Sequence, residues 1–114
     1  MKRFPGGSAG RCGAVESGGL VYAVATDPIC AKGLIEQTRN TLQDMEKILI
    51  EAGSGKIGLI QATVFLSDIS NKPEMDSVWR EWIGPEENWP QRACVGAGLE
   101  DGYLIEVVMI AKVL

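Results

Sequence analysis

AKGLIEQTRNTLQDMEKILIEAG, residues 31–53, is the stretch on which the fold turns. Ala31, Leu34, Ile35, Thr38, Leu42, Met45, Ile48, Leu49 and Ala52 recur there at three- and four-residue spacing, with Lys32, Glu36, Arg39, Gln43 and Lys47 on the other side. That spacing gathers the apolar side chains into one stripe and predicts an amphipathic helix of about six turns. Gly53 closes it, since glycine ends a helix without a Cβ clash. One face of such a helix is made to lie on a sheet, and the flanking sequence supplies the strands.

Upstream, Leu20–Ala25 (LVYAVA) is a compact apolar run introduced by Gly18-Gly19, a strand after a turn. Asp27-Pro28 ends it and is also an acceptable helix start. Residues 1–13, rich in glycine, read as a loosely held arm or an edge strand. Downstream, the β-branched and aromatic run from Ile57 to Leu66 predicts a long strand. Asn71-Lys72-Pro73-Glu74 then opens a second helix whose apolar face is Met75, Val78, Trp79, Trp82 and Ile83, stopped by Gly84-Pro85. Two strands follow, Arg92–Ala97 and Tyr103–Val113, joined by a glycine-rich hairpin loop, Gly98–Gly102. The order is strand, helix, strand, helix, strand, strand, with room for one more strand at the front. It specifies a single α+β domain over residues 1–114, two helices on one face of a mixed sheet. The other face is bare, and a domain of this size covers such a face by oligomerising.

Composition narrows the function. The chain has 114 residues, 46% apolar and 23% charged, which is ordinary for one globular domain. No apolar run approaches the roughly 20 residues of a membrane span, and the basic N-terminus has no hydrophobic segment behind it, so neither membrane insertion nor secretion is expected. A net charge of −4 argues against nucleic acid as a partner. Cys12, Cys30 and Cys94 form neither a disulfide framework nor a metal-ligand pattern, and there is no histidine to complete one. The expected setting is the reducing cytoplasm, with no metal and no cofactor.

EAGSGKIG, residues 51–58, resembles a phosphate-binding loop but has Ile57 where Ser or Thr is required. Its glycines also join a helix to a strand, the reverse of that loop's order. A helix cap and turn is the better reading. Glu106 sits inside LIEVVMI (104–110), where a buried unpaired carboxylate costs several kcal/mol. Either it points to solvent on an alternating strand or it has a task. In NWPQRACVGAG, residues 88–98, Arg92 brings a permanent charge to the mouth of an apolar strand and shares a strand face with Cys94. The residues allow a structural ion pair beside a core cysteine, or a planar two-pronged cation for a substrate carboxylate with a thiol beside it. Trp79, Trp82 and Trp89 read as core or interface anchors.

Four segments together resemble the YjgF/RidA family, the reactive intermediate deaminases also called L-PSP endoribonucleases. They are QTRNTLQDMEKILIEAGS (37–54), ATVFLSDISNKPEMDSVW (62–79), PQRACVGAG (90–98) and YLIEVVMIA (103–111), in the family's order and spacing. The resemblance implies a chorismate-mutase-like homotrimer with three ligand clefts between subunits. It implies that Arg92 grips a substrate carboxylate, that Cys94 lines the cleft, and that Glu106 positions or activates water. Asp76 and Trp79 complete the substrate-binding set. The implied reaction is hydrolysis of an enamine or imine of the 2-aminoacrylate type to a 2-keto acid and ammonia. Such imines already hydrolyse in water, so the protein has only to hold the carboxylate, orient water and manage one proton.

Several positions depart from the family pattern. Arg11 stands where deaminating members carry a tyrosine, and Val24-Ala25-Thr26 replaces Ser-Gly-Gln. The following loop is shorter, and Asp76 replaces an asparagine, its charge expected to repel a carboxylate if it faces the cleft. These departures favour a second reading, a non-catalytic trimer that binds a small carboxylate metabolite or a protein partner. Ribonuclease activity, the third reading, is disfavoured, because RNA cleavage calls for a histidine or lysine acid–base pair or a metal, and RNA binding for a basic track.

Overall fold

The computed structural model describes residues 1–114. Helix α1 spans Leu34–Glu51 and buries Leu34, Thr38, Leu42, Met45 and Leu49, the expected stripe, together with Gln37 and Thr41. Ile35 falls off the stripe and is 39% exposed. The helix starts after Ala31 because Asp27-Pro28 opens a turn instead of a helix. The buried Asp27 carboxylate accepts from the backbone N–H of Ile29 and of Ala31 (2.9 and 2.8 Å), and Cys30 adopts a left-handed φ of 47°. Those backbone donors are satisfied outside a helix, so the helix has to wait for Gly33 to end the turn.

Strands β1 (Lys2–Pro5) and β2 (Cys12–Ser17) precede β3 (Leu20–Ala25). The glycine-rich front of the chain therefore holds an edge strand and one further full strand. Gly18 and Gly19, at φ 61° and 83°, form the two-residue turn between β2 and β3, where Ser17 faces Leu20. Both turn positions need positive φ to match the twist of the flanking strands, and glycine supplies it without strain. After α1, a 3₁₀ turn (Lys56–Gly58) leads into β4 (Leu59–Leu66), and Gly53 caps α1 at φ 92°. The EAGSGKIG segment is thus a cap and turn. A Cβ on Gly58 would lie 2.6 Å from the Lys112 carbonyl. Lys56 donates to the Trp82 carbonyl (2.7 Å) and lies over its indole, closing the end of helix α2 (Lys72–Ile83).

The sheet order is β1-β2-β3-β6-β4-β5, with β5 (Gln91–Gly96) parallel to β4 and β6 (Ile105–Lys112) antiparallel to both β3 and β4. This corrects the expected hairpin: β5 and β6 are not paired. The connecting loop straddles the end of β4, with Ala97 N–H donating to Leu66 O and Ser67 N–H to Leu104 O. β6 buries Ile105, Val107, Met109 and Ala111 on one face and adds Val108 and Ile110 to the other, and a central position with partners on each side suits it better than an edge would.

Both helices lie on one face of the sheet. Val21, Ala23, Ala62, Val64, Val107 and Met109 meet Leu42, Met45, Leu49 and Met75 there, all buried. On the opposite face Tyr22, Val95 and Val108 are 44%, 42% and 39% exposed. Register places Val108 beside Val24 and Thr63, and Phe65 beside Val95, so these side chains form one continuous patch.

Candidate functional site

One turn-spaced stripe of α2, comprising Asp76, Trp79, Arg80 and Ile83, faces the outer strand β5. From β5, Arg92 and Cys94 point to this helix side, opposite Ala62 and Val64. The Arg92 guanidinium lies 5.1 Å from the centre of the Trp79 ring and donates from Nη2 to Asp76 Oδ1 at 2.7 Å. Its Nη1 finds only the Met75 sulfur, at 3.9 Å. Thioether sulfur is a weak acceptor, so one edge of the fork is engaged and the rest lacks an oxygen partner. Lys72 Nζ donates to the other carboxylate oxygen of Asp76 at 2.8 Å. Two cations therefore surround one carboxylate, leaving the cluster with a net charge of +1.

Asp76 was expected to repel a substrate carboxylate if it faced the cleft. It faces Arg92, and its charge is balanced by Arg92 and Lys72. Burial pushes its carboxyl up, but the hydrogen bonds and charges of Lys72 and Arg92 outweigh burial and leave it below its ordinary value. Burial pushes the Cys94 thiol above its ordinary value despite the nearby cations. A neutral thiol is a poor nucleophile.

Glu106 is not part of this cluster. It is paired in register with Phe65 on the helix-free face, whereas Arg92 is on the helix face, so the two lie on opposite sides of the sheet. An ion pair between Arg92 and Glu106 within one chain is thereby ruled out. Nor does Glu106 point freely to solvent. Its side chain is 30% exposed and meets Arg11 at 3.5 Å, in a recess shared with Thr26 and Tyr103.

Gln37, a polar residue outside the apolar spacing of α1, is wholly buried. Its amide nitrogen donates to the carbonyls of Ala31 (2.6 Å) and Gly102 (2.9 Å), and its oxygen accepts from Leu104 N–H (2.9 Å). It rivets the loop after β3 to the loop before β6, and so fixes the surroundings of Glu106. Its place three residues after Leu34 puts it on the buried stripe, which is the available sequence signal. No three histidine, cysteine or carboxylate side chains gather as a metal site, and no helix is long and apolar enough to cross a membrane.

A mixed six-stranded sheet with two helices on one face is the architecture of a known class of α+β protein. The Endoribonuclease L-PSP family model matches residues 11–113, and the chain belongs to that family. A RutC family protein from Haemophilus ducreyi is 31% identical over 99 residues, covering 83% of this chain and 82% of the relative. The RutC family protein YoaB of Escherichia coli is 35% identical over 79 residues, 68% of each chain. Among solved structures, a YjgF family member from Neisseria meningitidis superposes with a TM-score of 0.90 at 27% identity, covering 97% of this chain and 92% of its own.

Proposed function

We propose that the protein hydrolyses small enamine or imine intermediates of the 2-aminoacrylate type to 2-keto acids and ammonia, without a cofactor, in clefts between copies of the chain. The observation that carries this reading is the half-engaged fork of Arg92, laid on Trp79 with donors left for a carboxylate. In the proposed reaction Arg92 holds the substrate carboxylate, and Glu106 takes a proton from water as its oxygen attacks the imine carbon. The proton passes to nitrogen, and the carbinolamine collapses to ketone and ammonia. Because Arg92 and Glu106 face opposite sides of one sheet, the reading requires Glu106 to come from a neighbouring copy. A cytoplasmic homotrimer, its apolar sheet faces turned inward, would supply both the cover and the second half of each cleft.

A second reading, a trimeric binder of small carboxylates or of a protein partner without catalysis, is favoured by one observation: Asp76 already occupies an edge of the fork. The deciding experiment pairs calorimetry with 2-ketobutyrate and ammonia release from freshly generated 2-aminoacrylate. Arg92→Ala should leave the assembly intact and weaken ketoacid binding by roughly 30- to 150-fold, about 2–3 kcal/mol. Arg92→Lys, lacking the planar fork, should lose most of that binding too. Binding without ammonia release would select the second reading. Dissociation of the assembly by Arg92→Ala would make the arginine structural and end both.

A further inference from the structure

We infer that the groove running from Arg92 along α2 to Trp89 is a side-chain subsite, and that it selects 2-imino and 2-keto acids bearing an aromatic side chain. This rests on the reading of Arg92 as the carboxylate clamp. The groove has a volume of about 390 Å³. That lies within the range of about 300–1,000 Å³ seen for sites that enclose drug-sized ligands, and it is far larger than a three-carbon acid requires.

Its two ends differ in chemistry. One end is polar, where Arg92 meets Asp76, the fifth residue of α2. The other end is apolar, where Ile83 and Trp89 flank the end of the helix. Asp76 and Ile83 are seven positions apart in the helix, so at 1.5 Å per residue the ends lie roughly 10 Å apart. An acid with its carboxylate on Arg92 would extend a ring attached at the third carbon along the groove toward Trp89. Asp76 is the only carboxylate lining the groove, and Lys72 and Arg92 already neutralise it. Arg80 lies on the rim without an ion pair and adds to the positive potential.

Trp89 is 57% exposed, yet its indole N–H donates to the Gly84 carbonyl at 3.0 Å. The ring is therefore held at the groove instead of folding into the core. A fixed, open indole offers stacking area without the entropy loss of ordering a mobile side chain.

The test compares phenylpyruvate with 2-ketobutyrate by calorimetry on the full chain, its Trp89→Ala variant and its Arg92→Ala variant. In the unmodified protein phenylpyruvate should bind at least about tenfold more tightly than 2-ketobutyrate. Trp89→Ala should abolish that advantage while leaving 2-ketobutyrate within about twofold, and Arg92→Ala should weaken both acids. Equal affinity of the unmodified protein for both acids overturns the subsite alone and leaves the clamp standing, and this comparison needs no variant to fold. An equal loss for both acids in Trp89→Ala makes Trp89 a structural prop and likewise overturns the subsite. Phenylpyruvate binding that survives Arg92→Ala overturns the shared alignment of clamp and groove. Failure of both acids to bind the unmodified protein overturns the clamp, and the subsite with it.

Discussion

The Arg92 cluster and the Glu106 recess lie on opposite faces of one sheet and differ in how complete they are. Around Arg92 the chain supplies its own counter-charge at 2.7 Å, a ring beneath the guanidinium and a second cation on the far carboxylate oxygen. Around Glu106 it supplies a 3.5 Å ion pair with Arg11 and a recess shared with Ser8, Thr26, Glu100 and Tyr103. The first region is organised within one chain. The second has the features of a surface that another molecule completes.

The largest contrast is expected from one charge placed at two neighbouring positions. Met109→Asp would bury a carboxylate in the fully enclosed helix side and should prevent folding, read as loss of the near-ultraviolet circular dichroism. Val108→Asp, one residue away on the open face, should leave a folded chain whose mass by light scattering falls from about three chains to one. If Val108→Asp keeps the larger mass, the helix-free face is not the interface.

Gln37→Leu probes the loops that frame Glu106. It leaves two carbonyls and an N–H without their partner and should cost about 2 kcal/mol, lowering Tm by about 10 °C. Ammonia release should fall, while ketoacid binding at Arg92 stays within about twofold at a temperature where the variant is folded. A parallel loss of both would show that the two regions are not independent.

Asp76→Asn should move two quantities in opposite directions. Stability should drop by about 1 kcal/mol with the loss of the charged pair, while carboxylate affinity rises several-fold because the fork is released. The Asp76 carboxyl lies below its ordinary value when folded, so its contribution is fully present above the ordinary carboxylate range near pH 4 and is lost as pH falls through the lowered value. Denaturant titrations below pH 4 should therefore show a shallower acid loss in Asp76→Asn than in the parent.

The smallest effect belongs to Cys94→Ala. Stability should change by no more than about 1 kcal/mol and affinity by about twofold, with ammonia release retained. Complete loss of activity with the fold intact would give the thiol a direct part in the chemistry.

Much of this architecture is legible in the sequence because it is written in short-range periodicity. The stripe of α1, the stripe of α2 and the apolar runs of β3 and β4 each determine their own element. The pairing of β6 is not written that way. The loop Gly98–Gly102 has hairpin chemistry, yet the choice of partner is made by β3 and β4, distant in sequence and both left without a neighbour on one side. Site geometry divides similarly. Strand alternation places Arg92 with Cys94, but the Asp76 contact depends on where α2 settles over β5. Gln37 is hidden for a different reason: its polarity masks a buried position, since its partners are backbone groups that no side-chain pattern displays.

The position of β6 has a consequence for how the chain acquires its shape. This strand follows every other element in sequence, yet it lies between β3 and β4, with hydrogen-bonded partners on both sides. Without it the sheet falls into two ribbons, β1-β2-β3 and β4-β5, each with an unpaired inner edge. During synthesis those edges stand open while most of the chain is already made, and open edges are templates for wrong pairing. Closing the gap joins segments far apart in sequence, the kind of contact whose loop-closure cost slows folding. The strand that completes the fold is also the one that carries Glu106, so that side of the site forms only when the sheet does.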